Sequence, residues 1–97
     1  MWRVKDTKLG AVIIPEDLIK CPICGSILLL HDFRCYYHRG IELRHCDIHM
    51  KCPRCGFFAT FGVPISEEEF RKLSSSPLHG KVLREELVKV WGEIWFR

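Results

Sequence analysis

The stretch at 21–56 reads CPICGSILLLHDFRCYYHRGIELRHCDIHMKCPRCG and decides the fold. Its two ends repeat one pattern, Cys21-Pro22-Ile23-Cys24-Gly25 and Cys52-Pro53-Arg54-Cys55-Gly56. Two residues between cysteines make a tight turn that points both sulfurs at one tetrahedral ion, about 2.3 Å away for zinc. Proline stiffens the start of the turn. Glycine accepts the positive φ that follows and leaves the backbone bare near a sulfur. The two pairs together supply four thiolates, from Cys21, Cys24, Cys52 and Cys55. Such a site is closed to water, so its role is structural.

The span between the knuckles reads as a β-hairpin. SILLLHDFRCYY is rich in strand formers, Arg39-Gly40 is a turn signal, and IELRHCDIHM follows. A two-residue turn at 39–40 pairs Leu29 with Met50, Phe33 with Cys46 and Cys35 with Arg44. Leu29, Phe33, Cys46, Ile48 and Met50 then share one apolar face, and the fold-back brings the knuckles together. Residues 57–63, FFATFGV, supply a third strand. Residues 11–14, AVII, form a short strand ahead of the first knuckle.

The paired CPxCG knuckles on a hairpin resemble the zinc-ribbon or rubredoxin-like fold group over about residues 20–63. The resemblance implies one metal held by Cys21, Cys24, Cys52 and Cys55. It also implies a setting in transcription, translation or replication machinery, where many zinc ribbons bind nucleic acid or a protein partner.

Beyond the hairpin, Ser66 and Glu69 form a capping box, with Ile65 and Phe70 as its hydrophobic staple. A short helix over about 67–73 is expected. Ser76-Pro77 would start a second helix, running from about 78 to 95, with an apolar stripe of Leu78, Val82, Leu87, Val90, Trp91, Ile94 and Trp95. The expected fold is therefore a small metal-bound α+β domain. A zinc-ribbon-like three-stranded antiparallel sheet over 1–64 is followed by two C-terminal helices over 65–97, packed as one unit. Trp91, Trp95 and Phe96 are candidate anchors for a protein partner or a homodimer.

Between the knuckles, Cys35, His38, Cys46 and His49 have paired C-x-x-H spacing and could bind a second zinc. In a regular strand Cys46 and His49 point to opposite faces, so that site requires a bulge. Otherwise Cys35 and Cys46 lie diagonally as small buried hydrophobes, or join as a cross-strand disulfide, and the histidines are surface groups.

The 97 residues carry a net charge of +3, with no polybasic tail. Four thiolates on one divalent ion add a charge of about −2, which leaves the metal region near neutral. Nucleic-acid contact then rests on local patches: Arg34, Tyr36, Tyr37 and Arg39 at the hairpin tip, and Lys51 and Arg54 at the other end. The chain shows no signal-peptide run and no membrane span, so a cytoplasmic protein is expected. In a reducing compartment six cysteines favour metal over disulfides. The chain contains neither Asn nor Gln, which points to a thermophilic, archaeal source.

There is no Ser/His/Asp order, phosphate loop or HExxH, and an enzyme is not expected. Two alternatives remain open. One is a rubredoxin-like iron protein for electron transfer, suggested by the spacing of Cys24 and Cys52. The other is a DNA-binding regulator using the helices around Ser74–Pro77.

Overall fold

The computed structural model describes residues 2–83. Among the described residues, five strands form two antiparallel sheets, and one short helix packs against both. This corrects the expected three-stranded sheet with two helices in both halves.

The first sheet is a ribbon of β1 (Trp2–Thr7) and β2 (Gly10–Pro15). Trp2-Arg3-Val4-Lys5 alternates apolar with charged residues, the period of a half-buried strand. Lys8 and Leu9 make the two-residue turn, where Thr7 Oγ1 donates to the Gly10 carbonyl at 2.7 Å and accepts from Leu9 N–H at 3.1 Å. From Ala11 onward β2 is buried at every residue. Its continuous apolar run is that of a strand covered on both faces.

The second sheet has the order β3 (Leu29–His38), β4 (Leu43–Lys51), β5 (Phe58–Pro64). The β3–β4 hairpin and the third strand match the sequence reading. The register does not. His38 pairs with Leu43 across a four-residue loop, so Phe33 faces Ile48 and Cys35 faces Cys46. A two-residue turn at 39–40 would need a positive φ at Arg39. The chain instead takes positive φ at Gly40 and Glu42 and lengthens the loop. A bulge at His31 then shifts the register again, so Leu30 faces Met50 and Leu29 faces Lys51. The first change moves the pairing by two residues and keeps each side chain on its face. The bulge moves it by one, so Leu30 rather than Leu29 is fully buried.

Leu30, Phe33, Cys35, Cys46, Ile48 and Met50 make the inner face of this sheet. They form one core with Val12, Ile13 and Ile14 of the ribbon, and Trp2 packs against Phe61 at 5.1 Å. Helix α1 (Glu67–Ser74) touches β2, β3 and β4 and buries Leu73. Its capping box is present in full. Glu69 N–H donates to Ser66 Oγ at 3.1 Å, and Ser66 N–H to Glu69 Oε1 at 2.9 Å.

The second helix does not begin at Pro77. Residues 77–80 form turns and Gly80 takes φ +74°. The backbone donors that a helix would spend within itself go to the free edge of β3. Gly80 N–H binds the Phe33 carbonyl at 2.8 Å, and Leu83 N–H binds the His31 carbonyl at 2.8 Å. His79 Nε2 accepts from Cys35 N–H at 2.9 Å. This strap covers a strand edge that would otherwise carry unpaired groups. It also removes the basis for a helix-turn-helix around Ser74–Pro77. The rest of the expected helix, with Trp91, Trp95 and Phe96, lies outside the described residues.

Candidate metal centre

The two knuckles are built alike. In the first, Gly25 N–H donates to the Cys21 carbonyl at 2.9 Å and Cys21 N–H to the Ser26 carbonyl at 2.6 Å. In the second, Gly56 N–H donates to the Cys52 carbonyl at 3.1 Å and Cys52 N–H to the Phe57 carbonyl at 2.8 Å. Gly25 and Gly56 take φ of +76° and +82°, where a side chain would be strained. A bridge between Lys20 and Ile27 frames the first turn, and β4 and β5 frame the second.

The hairpin closes these turns on each other. The sulfurs of Cys21, Cys24, Cys52 and Cys55 all lie within 4.8 Å of one another. Across the gap, Cys21 Sγ is 3.5 Å from Cys55 Sγ, and Cys24 Sγ is 3.4 Å from Cys52 Sγ. A tetrahedron of sulfurs at zinc bond length has edges of about 3.8 Å, so the cage is slightly tight and of the right size. Ile23 N–H donates to Cys21 Sγ and Cys55 N–H to Cys52 Sγ, each at 3.4 Å. Such bonds orient a sulfur and spread thiolate charge. Cys21 and Cys52 are buried, whereas Cys24 and Cys55 face solvent.

Four thiolates this close repel one another and cannot all ionise without a countercharge. Cys24 is pulled down to about 6, first by the Ser26 hydroxyl, then by the Ser26 amide and the Cys52 thiol. Cys55 is pushed up to about 12: the Phe57 amide favours its thiolate, but the Cys21 thiol, burial and the other two thiols outweigh it. A divalent cation at the centre removes that conflict. These four residues therefore fit a metal, and among the described residues they are the cluster of ligating groups that does.

The remaining cysteines and histidines are distributed elsewhere. Cys35 and Cys46 meet inside the core with sulfurs 3.3 Å apart. His38 Nε2 lies 2.9 Å from His45 Nδ1, and His45 Nε2 lies 3.1 Å from Asp47. His49 Nδ1 is bonded to Asp32. Cys35 and Cys46 thus face each other, while His38 and His49 take other partners, and the four do not converge. The bulge that a second site requires occurs at His31 on β3, not near His45 on β4.

The expected nucleic-acid residues are split as well. Tyr36 lies on the outer face of the sheet, stacked on His45 at 5.3 Å, and His45 stacks on His38 at 4.8 Å. Tyr37 turns the other way, toward Phe70, with Arg44 over its ring at 4.6 Å. Arg34 reaches around the edge of β3 to Gly80. Arg39 is in the tip loop, whereas Lys51 and Arg54 sit by the second knuckle, roughly 30 Å along the strands. Sequence reasoning missed Phe58, whose ring is stacked on His49 at 5.3 Å and meets His31 edge-on at 5.2 Å. The period-2 alternation of β5 places it on the outer face and was available to find it.

Among the described residues no helix is long and apolar enough to cross a membrane. Neither a family model, nor a curated protein, nor a solved structure matches the chain.

Proposed function

We propose that the protein is a non-enzymatic zinc module whose ion holds the sheet in shape while the outer sheet face binds nucleic acid. The thiolate cage supports the structural half. Four cysteines fill a tetrahedral ion's coordination and leave no position for a reacting water. The binding half rests on the row of rings on the outer face. Tyr36, 40% exposed, stacks on His45, His45 stacks on His38, and exposed Phe58 stacks with His49 farther along the same face. Arg39 at the tip and Lys51 near the knuckle add positive charge at either end. Rings on an open sheet with cations at its margins suit single strands, which offer bases to stack and phosphates to pair. Transcription, translation or replication machinery would provide such a strand.

Two measurements test this reading. Native mass spectrometry with elemental analysis should find one zinc per chain; a red, iron-containing protein would instead indicate electron transfer. Fluorescence anisotropy with a labelled single-stranded oligonucleotide should show salt-dependent binding. Tyr36→Ala with Arg39→Ala should weaken it about tenfold or more, from the loss of one stacking platform and one phosphate contact. Unchanged affinity and salt slope would remove nucleic acid and leave a protein as the partner.

A further inference from the structure

We propose that Cys35 and Cys46 are a redox pair, which a peroxide converts to a cross-strand disulfide while the knuckle cysteines keep their metal. The two residues sit directly opposite each other on β3 and β4, with sulfurs 3.3 Å apart. Their strand position is the one that favours a bridge. Cys35 N–H points away from β4 to His79, and the carbonyls of His31 and Phe33 point the same way, to Leu83 and Gly80. Cys35 and Cys46 are therefore a non-hydrogen-bonded pair, the narrow kind, with Cα atoms about 4.5 Å apart. That separation lies within the range a disulfide spans. Neither strand has to shift.

No other role claims these thiols. They lie outside the knuckle cage, and His38 and His49 are engaged with His45 and Asp32 on the opposite face. Both are buried, so a bulky disulfide reagent is kept out. Cys35 is 9% exposed and lies on the edge strand beneath the His79 strap, which leaves a small oxidant a route.

The chemistry balances with one peroxide. The Cys35 thiolate attacks the O–O bond, giving a sulfenic acid and hydroxide, which takes up the thiol proton as water. Cys46 then attacks the sulfenic sulfur, the S–S bond forms, and the hydroxyl leaves as a second water with the Cys46 proton. Two thiols are oxidised by two electrons and one hydrogen peroxide is reduced to two waters. Each metal-bound thiolate shares charge with the ion, which makes it a weaker nucleophile than a free thiolate, and the ion holds the four sulfurs in place.

The test uses the metal-loaded full chain and one equivalent of hydrogen peroxide. Intact mass should fall by two hydrogens with the metal retained, and peptide mapping should link Cys35 to Cys46. The bridge closes a short loop, so the thermal midpoint should rise by about 10 °C and return on adding dithiothreitol. Cys35→Ser and Cys46→Ser should each abolish the loss of two hydrogens, Cys46→Ser instead gaining one oxygen at Cys35, and mapping of the wild-type chain decides the matter even if either variant fails to fold. In the wild type, loss of metal with linked knuckle cysteines, or oxygen addition at Cys35 without a bridge, would overturn the proposal.

Discussion

His79 carries a measurable dependence of stability on pH. Its ring stands edge-on to Phe33 at 5.9 Å, and its Nε2 accepts the N–H of Cys35. Burial, with Arg34 nearby, pushes its pKa below the ordinary 6.5. The fold thus favours the neutral ring, because a protonated Nε2 has no lone pair for Cys35 and places a second cation beside Arg34. The sign follows from linkage. A histidine lowered by folding contributes fully above about pH 6.5, and that contribution is lost as pH falls through its folded value. Leaving the Cys35 amide without an acceptor costs about 2 kcal/mol. In a domain of this size that lowers the thermal midpoint by about 10 °C. His79→Phe should show this loss at neutral pH, since it keeps a ring and removes the acceptor. His79→Gln can still accept through its amide oxygen and does not titrate. Thermal melts of the three proteins between about pH 7.5 and about pH 5 separate the effects. The wild type should lose more stability on acidification than His79→Gln. Equal losses in these two proteins would refute the role given to His79.

Three further outcomes follow from the geometry. Chelating the metal should unfold the hairpin and both knuckles, because closing the cage is coupled to folding; retained dispersion of the β3–β5 amides by NMR would contradict this. Ser66→Ala should cost about 1 kcal/mol in urea denaturation, by removing the hydroxyl that caps Glu69. Leu30→Ala should cost about 2–5 kcal/mol and Leu29→Ala distinctly less, since the bulge turns only Leu30 into the core; the reverse order would restore the simple hairpin register.

The parts of the fold that were legible in the sequence were those fixed by neighbours in the chain. Ser66 and Glu69 cap their helix through contacts three residues apart, and each knuckle is closed by its own backbone and its own glycine. The hairpin face was legible because apolar residues alternate along both strands. The register was not. It depends on a left-handed residue at Glu42 and an extra residue at His31, and neither position has a composition that announces it. The strand at Trp2–Thr7 was within reach, since its alternation is plain, but the pattern is short and its partner is the buried β2. The strap at 79–83 was the hardest part to foresee. Its bonds to the β3 backbone span more than 40 positions, and Pro77 ahead of an apolar stripe mimics a helix start. The cage was legible in full because thiolate spacing is itself a coordination rule. The outer face was not, because its rings come from three strands whose alignment was unknown.

The strap sets how far this sheet can grow. A three-stranded sheet with two bare edges can recruit a strand on either side, and repeated pairing produces fibrils. Here β3 is sealed by Gly80 and Leu83, so β5 is the remaining edge of that sheet among the described residues. Two such sheets meeting β5 to β5 would consume both open edges at once. Assembly through this sheet would therefore stop at a pair, a closed two-fold arrangement instead of an endless one.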